Sequence, residues 1–167
     1  MKIENPVAFK YLFQDEIFLL ENEKSGFTIV EDVLPEIDNS ALTFKYLGNN
    51  KINFLVLVHY PNIEYMAEMH LTALENTVKR LSYDINDFAI FNLFHYPNLE
   101  YQQILDYFSP KKILVLGKLA TIGPLEKMSL NKIYKSKDRT VLYTFSFDEM
   151  MESNENKKIF WEQMKQL

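Results

Sequence analysis

Four short apolar runs recur along the chain, and they restrict its fold more than any other feature. The runs are INFLVLV at 52–58, DFAIFNLF at 87–94, KKILVLG at 111–117 and TVLYTF at 140–145. Near-continuous hydrophobicity of this length is typical of strands covered on both faces. Helical patterns separate the runs, and strands that alternate with helices predict a parallel sheet. We therefore expect an α/β fold: a three-layer α/β/α sandwich around a central, mostly parallel, four-stranded sheet.

The helical patterns have recognisable limits. Apolar residues spaced for one face predict a first helix over 63–81, and NLEYQQILDYF at 98–108 predicts a second, which Pro110 should end. A weaker helix is predicted from Lys118, interrupted at Gly123–Pro124. ENKKIFWEQMKQL at 155–167 predicts a C-terminal helix, with Ser153 or Asn154 as its N-cap.

Residues 1–50 do not show the same alternation. They predict a lead-in of helix and strand, and residues 51–167 predict the folded α/β domain. The lead-in carries an apolar segment, YLFQDEIFLL at 11–20, which suits docking into a partner's groove. The docking candidates in this segment are Tyr11, Leu12, Phe13, Ile17 and Phe18.

Composition excludes several classes of function. The chain has no cysteine, so disulfides, thiolate nucleophiles and cysteine-ligated metal sites are absent, and a reducing cytoplasm is expected. No run of 18 apolar residues predicts a membrane span. The net charge of −5 opposes a general role in coating nucleic acid. Residues 111–139 nevertheless hold eight Lys/Arg against two acids, which we interpret as solvated lysines rather than a binding patch.

The segment HYPNIEY at 59–65 returns as HYPNLEY at 95–101, each time after an apolar run. In a parallel sheet both segments lie at the carboxyl edge, where open α/β folds bind ligands. Proline sets a turn there, and asparagine is expected to cap the following helix. His59, Tyr60, His95 and Tyr96 thus become candidates for a pocket rim.

The residues at this rim do not predict a particular kind of catalytic or metal-binding site. The two histidines lack a third ligand at a suitable spacing, so no metal site is predicted. His70 falls on the apolar face of its helix and is expected to be a hydrogen-bonded core residue. Phosphate-binding and nucleophile-elbow glycine motifs are absent, and no cofactor is predicted.

Longer stretches resemble a known superfamily. SPKKILVLGKLA at 109–120 is similar to the proline–lysine–strand–Leu–Gly segment of the uracil-DNA glycosylases, especially the bacterial family 4 branch. VLYTFSFDEMMESNENKKIFWEQMKQL at 141–167 resembles that family's closing strand, base-flipping loop and last helix, and 71–92 resembles an upstream helix, turn and strand. The resemblance covers about 110 residues in order. It implies a glycosylase-like α/β/α fold in which Asn92 matches the asparagine that hydrogen-bonds uracil.

The same resemblance implies that most of the catalytic groups are missing. A glycosylase must stabilise a cation-like sugar and a departing base anion. The carboxylate-bearing loop after the first strand is replaced by Val58-His59-Tyr60-Pro61-Asn62, and the family His-Pro-Ser is replaced by Ser146-Phe147-Asp148. Loss of one stabilising donor costs about 100-fold to 1000-fold in rate. His59, Tyr60, Asn92, His95 and Ser146 therefore stand as pocket candidates, with no confident catalytic residue.

A noncatalytic family of this fold supplies the role that we expect for the chain. The chain resembles the psi subunits of the bacterial DNA polymerase III clamp loader in size, in the segment at 11–20, and in a tryptophan helix after an asparagine turn (Asn154, Trp161). The resemblance implies a bridging protein of bacterial DNA replication or repair, with a protein partner and no catalysis. Two alternatives stay open: a DNA glycosylase of altered specificity with His59 or His95 as base, and a small-molecule-binding α/β domain.

Overall fold

The computed structural model describes residues 43–167, and their framework is one mixed β-sheet. Six strands in this part of the chain are ordered β1-β3-β2-β4-β6-β5 across the sheet. Their bounds are β1 Leu47–Gly48, β2 Phe54–Val58, β3 Phe88–Asn92, β4 Lys112–Leu116, β5 Lys132–Lys135 and β6 Thr140–Thr144. The fold is therefore α/β, as the alternation of strand and helix patterns predicts.

The four predicted strands form the parallel centre of this sheet. β2 lies between β3 and β4, so that Leu55 is paired with Ala89 on one side and Ile113 on the other. β6 extends the parallel set beyond β4. Every residue of β2 and β3 is buried, which explains why these runs are apolar without alternation.

The prediction of four strands is incomplete, because two short antiparallel strands complete the edges. β1 pairs with β3, and β5 pairs with β6. β1 has only two residues, and β5 is a KIYK segment with exposed lysines at both ends. Neither gives an apolar run long enough to predict a strand, and lysines are common on edge strands because they discourage further pairing.

Four helices cover the two faces of the sheet within the described residues. They are α1 Glu68–Arg80, α2 Tyr101–Phe108, α3 Phe147–Glu152 and α4 Asn154–Met164. Alternate strand residues face opposite sides, and they divide the core into two clusters. One cluster joins Leu55 and Phe91 to α2, and the other joins Val56 to α1, α3 and α4.

The first two helices begin later than predicted. α1 begins at Glu68 instead of residue 63, and α2 begins at Tyr101 instead of residue 98. The expected asparagine caps are wrong, because Ala67 and Glu100 occupy the N-cap positions in place of Asn62 and Asn98. α2 ends as predicted, with Ser109 in the left-handed region before Pro110.

The remaining helices are partly as predicted. The weak helix after β4 consists of two short 3₁₀ segments, Lys118–Ala120 and Gly123–Lys127. They are separated at residues 121–122, and Gly123–Pro124, where the interruption was predicted, instead begin the second segment. α4 is confirmed, and the side chain of Ser153 caps it by accepting from the backbone N–H of Asn156. α3 is absent from the sequence prediction and replaces the loop expected at 146–152.

The basic stretch at 111–139 is largely solvated. Six of its seven lysines are exposed, while Lys112 is half-buried and places its ammonium 5.9 Å from the ring centres of Phe54 and Tyr83. No helix in the described part of the chain is long and apolar enough to cross a membrane. The lead-in candidates Tyr11, Leu12, Phe13, Ile17 and Phe18 lie outside the described residues.

Gly48→Ala tests the edge of the sheet. Gly48 has φ 95°, and a Cβ there would overlap the carbonyl oxygen of Phe88 on the neighbouring strand. We expect a loss of about 3 kcal/mol in the free energy of unfolding, measured by urea denaturation. Gly123→Ala is the matched control: φ is 55° and the new Cβ would meet only a side chain, at 3.2 Å. Its expected loss is about 1 kcal/mol, and equal losses would contradict the close approach at Gly48.

Candidate functional site

The carboxyl ends of β2, β3, β4 and β6 meet at one edge of the sheet. His59 follows β2, a 3₁₀ turn at Leu93–His95 follows β3, Gly117 follows β4, and Ser146 opens α3 after β6. The two HYPN segments contact each other here, since a ring nitrogen of His95 lies 2.9 Å from the carbonyl oxygen of Ile63. Their predicted position at one rim of the sheet is therefore confirmed.

Asn92 is the most extensively bonded side chain at this edge. Its Oδ1 accepts from the backbone N–H groups of Tyr60 at 2.9 Å and Phe94 at 3.2 Å. Its Nδ2 donates to the carbonyl oxygens of Tyr60 at 2.9 Å and Ile63 at 2.8 Å. Two donors and two acceptors are the full capacity of a side-chain amide. With 1% of its surface exposed, Asn92 has no free hydrogen-bonding atom to offer a base.

These bonds also fix the loop after β2. The carbonyls of Tyr60 and Ile63 both accept from the Asn92 side chain, and the Ile63 carbonyl oxygen also lies 2.9 Å from a ring nitrogen of His95. The segment between β2 and α1 forms turns, and Ile63 is 41% exposed. Asn92 thus acts as a cross-link between the ends of β2 and β3.

Two clefts open at the same edge, and His59 lines both. Cleft A has a volume of about 590 Å³ and lies between the segments that follow β2, β3 and β4; its lining includes His59, Tyr96, Glu100, Tyr101, Leu119 and Glu126. Cleft B has a volume of about 250 Å³ and is lined by residues after β2, β4 and β6, including His59, Gly117, Lys118, Ser146, Asp148 and Glu149. Asn92 lines neither cleft.

The charges in these clefts are mainly negative. Cleft A carries the carboxylates of Glu100 and Glu126 and no lysine or arginine. Cleft B carries Asp148 and Glu149 against one cation, Lys118. Carboxylates repel the phosphates that flank any base in DNA. The clefts therefore suit neutral or cationic groups better than a nucleic-acid strand.

His59 itself is held by packing rather than by a polar partner. Its Nδ1 is buried without a hydrogen bond among the described residues, and its ring packs edge-on against Phe94 at 5.3 Å. Within residues 43–167 no carboxylate is bonded to this ring, whereas histidines that act as general bases are normally oriented by a second group. An imidazole borders both clefts, but it lacks a positioned neighbour for base catalysis.

His70 is buried in a short polar chain, as its position on the apolar face of α1 predicts. The hydroxyl of Tyr60 lies 2.7 Å from His70 Nδ1, and His70 Nε2 lies 3.7 Å from Asp148 Oδ1. Burial, and secondarily the charge of Asp148, raise the pKa of Tyr60 far above its usual value, so that the phenol keeps its proton and is able to donate to Nδ1. In the tautomer that accepts this bond at Nδ1, the other ring nitrogen, Nε2, carries the proton towards Asp148.

The other two rim residues have structural partners. Ser146 is the N-cap of α3: its hydroxyl accepts from Glu149 N–H at 3.2 Å and donates to the Glu149 carboxylate at 2.9 Å. The Tyr96 hydroxyl accepts from the backbone N–H of Lys45 at 2.9 Å, and its ring packs on Phe44 and Phe91. The sequence signal for the cap is Ser146-x-x-Glu149, a capping box that marks the start of α3.

Comparison with known proteins adds no family assignment. No protein-family model matches the sequence, and no curated protein matches it. Among residues 43–167, no group of three or more histidines and carboxylates is placed to hold a metal ion.

Asn92→Ala tests the cross-link. The substitution leaves two backbone N–H groups and two carbonyls without their partner, and we expect a loss of about 3 kcal/mol in the free energy of unfolding, measured by urea denaturation. Asn92→Asp keeps the acceptors but loses both donors and should not restore stability. Asn62→Ala, at an exposed position, is the control and should cost less than about 0.5 kcal/mol. A similarly small effect at Asn92 would show that the cross-link does not hold the edge.

Tyr60→Phe tests the buried phenol. At pH 8 we expect a loss of about 1 kcal/mol in unfolding free energy, the value of one hydrogen bond. The raised pKa of Tyr60 stabilises the wild type below about pH 10, and this contribution falls at higher pH because only the unfolded phenol ionises. The gap between the two proteins should therefore narrow in urea titrations from pH 8 to pH 11. Burial also raises the pKa of Tyr143, but this residue is present in both proteins, so its contribution cancels in the difference. A constant gap would contradict this assignment.

Proposed function

We propose that the chain is a catalytically degenerate protein of the uracil-DNA glycosylase fold that acts through protein contacts in bacterial DNA replication or repair. The observation that carries this proposal is the full use of Asn92 by the chain's own backbone. In the glycosylases that the sequence resembles, this asparagine reads the base. Here the Asn92 amide holds the ends of β2 and β3 together, which favours a structural role for this asparagine over base recognition.

The fold is consistent with this ancestry. Four parallel strands form the centre of the sheet, with helices on both faces and the candidate residues at the carboxyl edge. The position matching the base-flipping loop is occupied by α3, whose N-cap is Ser146. A serine whose hydroxyl is committed to a cap supplies no donor to a leaving base, and this supports loss of catalysis.

The electrostatics of the edge support the same conclusion. Four carboxylates and one lysine line clefts A and B, and the clefts share the only histidine in either lining. Extraction of a base from DNA brings two flanking phosphates to the rim of the pocket, and the carboxylates of the clefts would repel these phosphates. A psi-like role in protein contacts does not require phosphates to bind at this edge. The candidate residues for docking a partner lie in the segment at 11–20.

A small-molecule-binding α/β domain is the second candidate, and the size of cleft A favours it. Its volume of about 590 Å³ falls within the usual range for ligand pockets, and it lies where open α/β folds place ligands. Binding of a metabolite in cleft A would raise the thermal midpoint, and the increase should be reduced by Tyr101→Ala. A glycosylase of altered specificity would rest on His59 or on His95, which lines a separate cleft of about 260 Å³ with Lys45, Glu64 and Tyr96.

A base-release assay tests the loss of catalysis. We expect no abasic sites in single- or double-stranded DNA carrying uracil or other modified bases, with a family 4 glycosylase as positive control. Measurable release that is abolished by His59→Ala or by His95→Ala would overturn the proposal in favour of the altered glycosylase.

Affinity capture from the source cell tests the interaction role. We expect a stable replication or repair protein to copurify with the full chain and to be lost on deletion of residues 1–25. The double substitution Ile17→Asp with Phe18→Asp should reproduce the loss, whereas Gln14→Asp, in the same segment, should retain the partner. If the deletion variant still bound the partner, the segment at 11–20 would not be the docking site.

A further inference from the structure

A narrow groove lies on the sheet face opposite α2, between α1 and the pair α3 and α4. We name it the α1–α4 groove; its apolar lining comprises Ala73 and Thr77 from α1, Met150 and Met151 from α3, and Phe160 and Trp161 from α4. Its volume is about 180 Å³, smaller than the roughly 300 Å³ at which small-molecule pockets begin. The groove thus has room for a single large side chain rather than for a metabolite.

The groove follows from the sequence of the three helices. Ala73 and Thr77 are four residues apart, so they lie on one face of α1 and leave a depression where larger residues would fill it. Met150 and Phe160 form a floor that is 2% and 4% exposed and belongs to the core. Met151 is 37% exposed at the rim, and methionine adapts readily to different partners. A fixed floor and an adaptable rim are suited to anchoring an apolar side chain.

The charge of this groove is opposite to that of clefts A and B. Its lining includes Arg80 and Lys157 and no carboxylate. The Arg80 guanidinium lies 5.7 Å from the centre of the Trp161 ring. Lys157 Nζ makes only long contacts of 3.5 Å, to the Met151 carbonyl and Asn154 Oδ1. Among the described residues neither cation has a carboxylate within 4.0 Å, so both charges are free to meet an acidic ligand.

We propose that the α1–α4 groove binds a peptide segment of a partner protein in which a large apolar side chain is flanked by carboxylates. The apolar side chain enters the slot between Thr77 and Trp161, and the flanking carboxylates meet Arg80 and Lys157. This inference rests on the proposed function for its setting in protein contacts. It adds a second contact surface, on the folded part of the chain and separate from the docking segment at 11–20.

Trp161 provides a direct readout because it is the chain's single tryptophan. We would titrate the full-length protein with the peptide acetyl-EDLFDE-amide and follow Trp161 fluorescence. We expect a saturable change, weakened by added salt because the flanking contacts are ionic. The peptides EDAADE, without the apolar pair, and KKLFKK, with reversed charge, should give no saturation up to about 1 mM.

Two charge reversals on α4 form a matched pair of variants. Lys157→Glu places a carboxylate in the groove and should weaken EDLFDE binding by about tenfold or more, since like charges repel across the contact. Lys158→Glu makes the same change in net charge on the neighbouring exposed residue, which does not line the groove, and should alter affinity less than about twofold. Both variants should keep the wild-type circular dichroism spectrum.

Several results would overturn this inference. They are no fluorescence change with EDLFDE, an equal response to KKLFKK, or equal weakening by the two variants. Sedimentation that shows a dimer broken by Lys157→Glu would assign the groove to a second copy of this chain instead. Base release from DNA would defeat the proposed function while leaving peptide binding measurable, so the two failures are distinguishable.

Discussion

One side-chain amide determines the arrangement of the sheet's carboxyl edge. Asn92 ends β3 and bonds to backbone groups of the loop after β2, 32 residues earlier in the chain. Those bonds use all of its hydrogen-bonding capacity and tie the loop to the end of β3. The Ile63 carbonyl, which accepts one of them, also contacts the second HYPN segment through His95. Buried polar groups require partners, and here the partners are other parts of the chain.

This constraint connects the structure to the proposed function. A pocket that reads a base needs free polar atoms directed at its edge, together with groups that stabilise the leaving anion. At the positions that the proposed relationship assigns to these tasks, Asn92 serves as a cross-link and Ser146 as a helix cap, and carboxylates dominate both clefts. The cationic groove lies elsewhere, on the face covered by α1, α3 and α4. The distribution of charge thus disfavours an acidic ligand at the carboxyl edge and favours one at the α1–α4 groove.

The sequence predicts the centre of the fold well because buried parallel strands require long apolar runs. It also predicts His70 as a bonded core residue and Ser153 as a cap, since both depend on neighbouring residues. The helix starts and the bonding of Asn92 depend on contacts between distant segments, and no local pattern contains them. The two edge strands give no apolar run, because β1 has only two residues and β5 has exposed lysines at both ends. By contrast, α3 was predictable, because Ser146 and Glu149 form a local capping signal.

The central claim is that the Asn92 amide is bound by the chain itself and is unavailable to a base. Nuclear magnetic resonance of the side-chain amide protons tests it directly. The bonds to Tyr60 and Ile63 predict slow exchange of both Nδ2 protons with solvent and no shift on addition of uracil. Fast exchange, together with a saturable uracil-dependent shift of these protons, would contradict it.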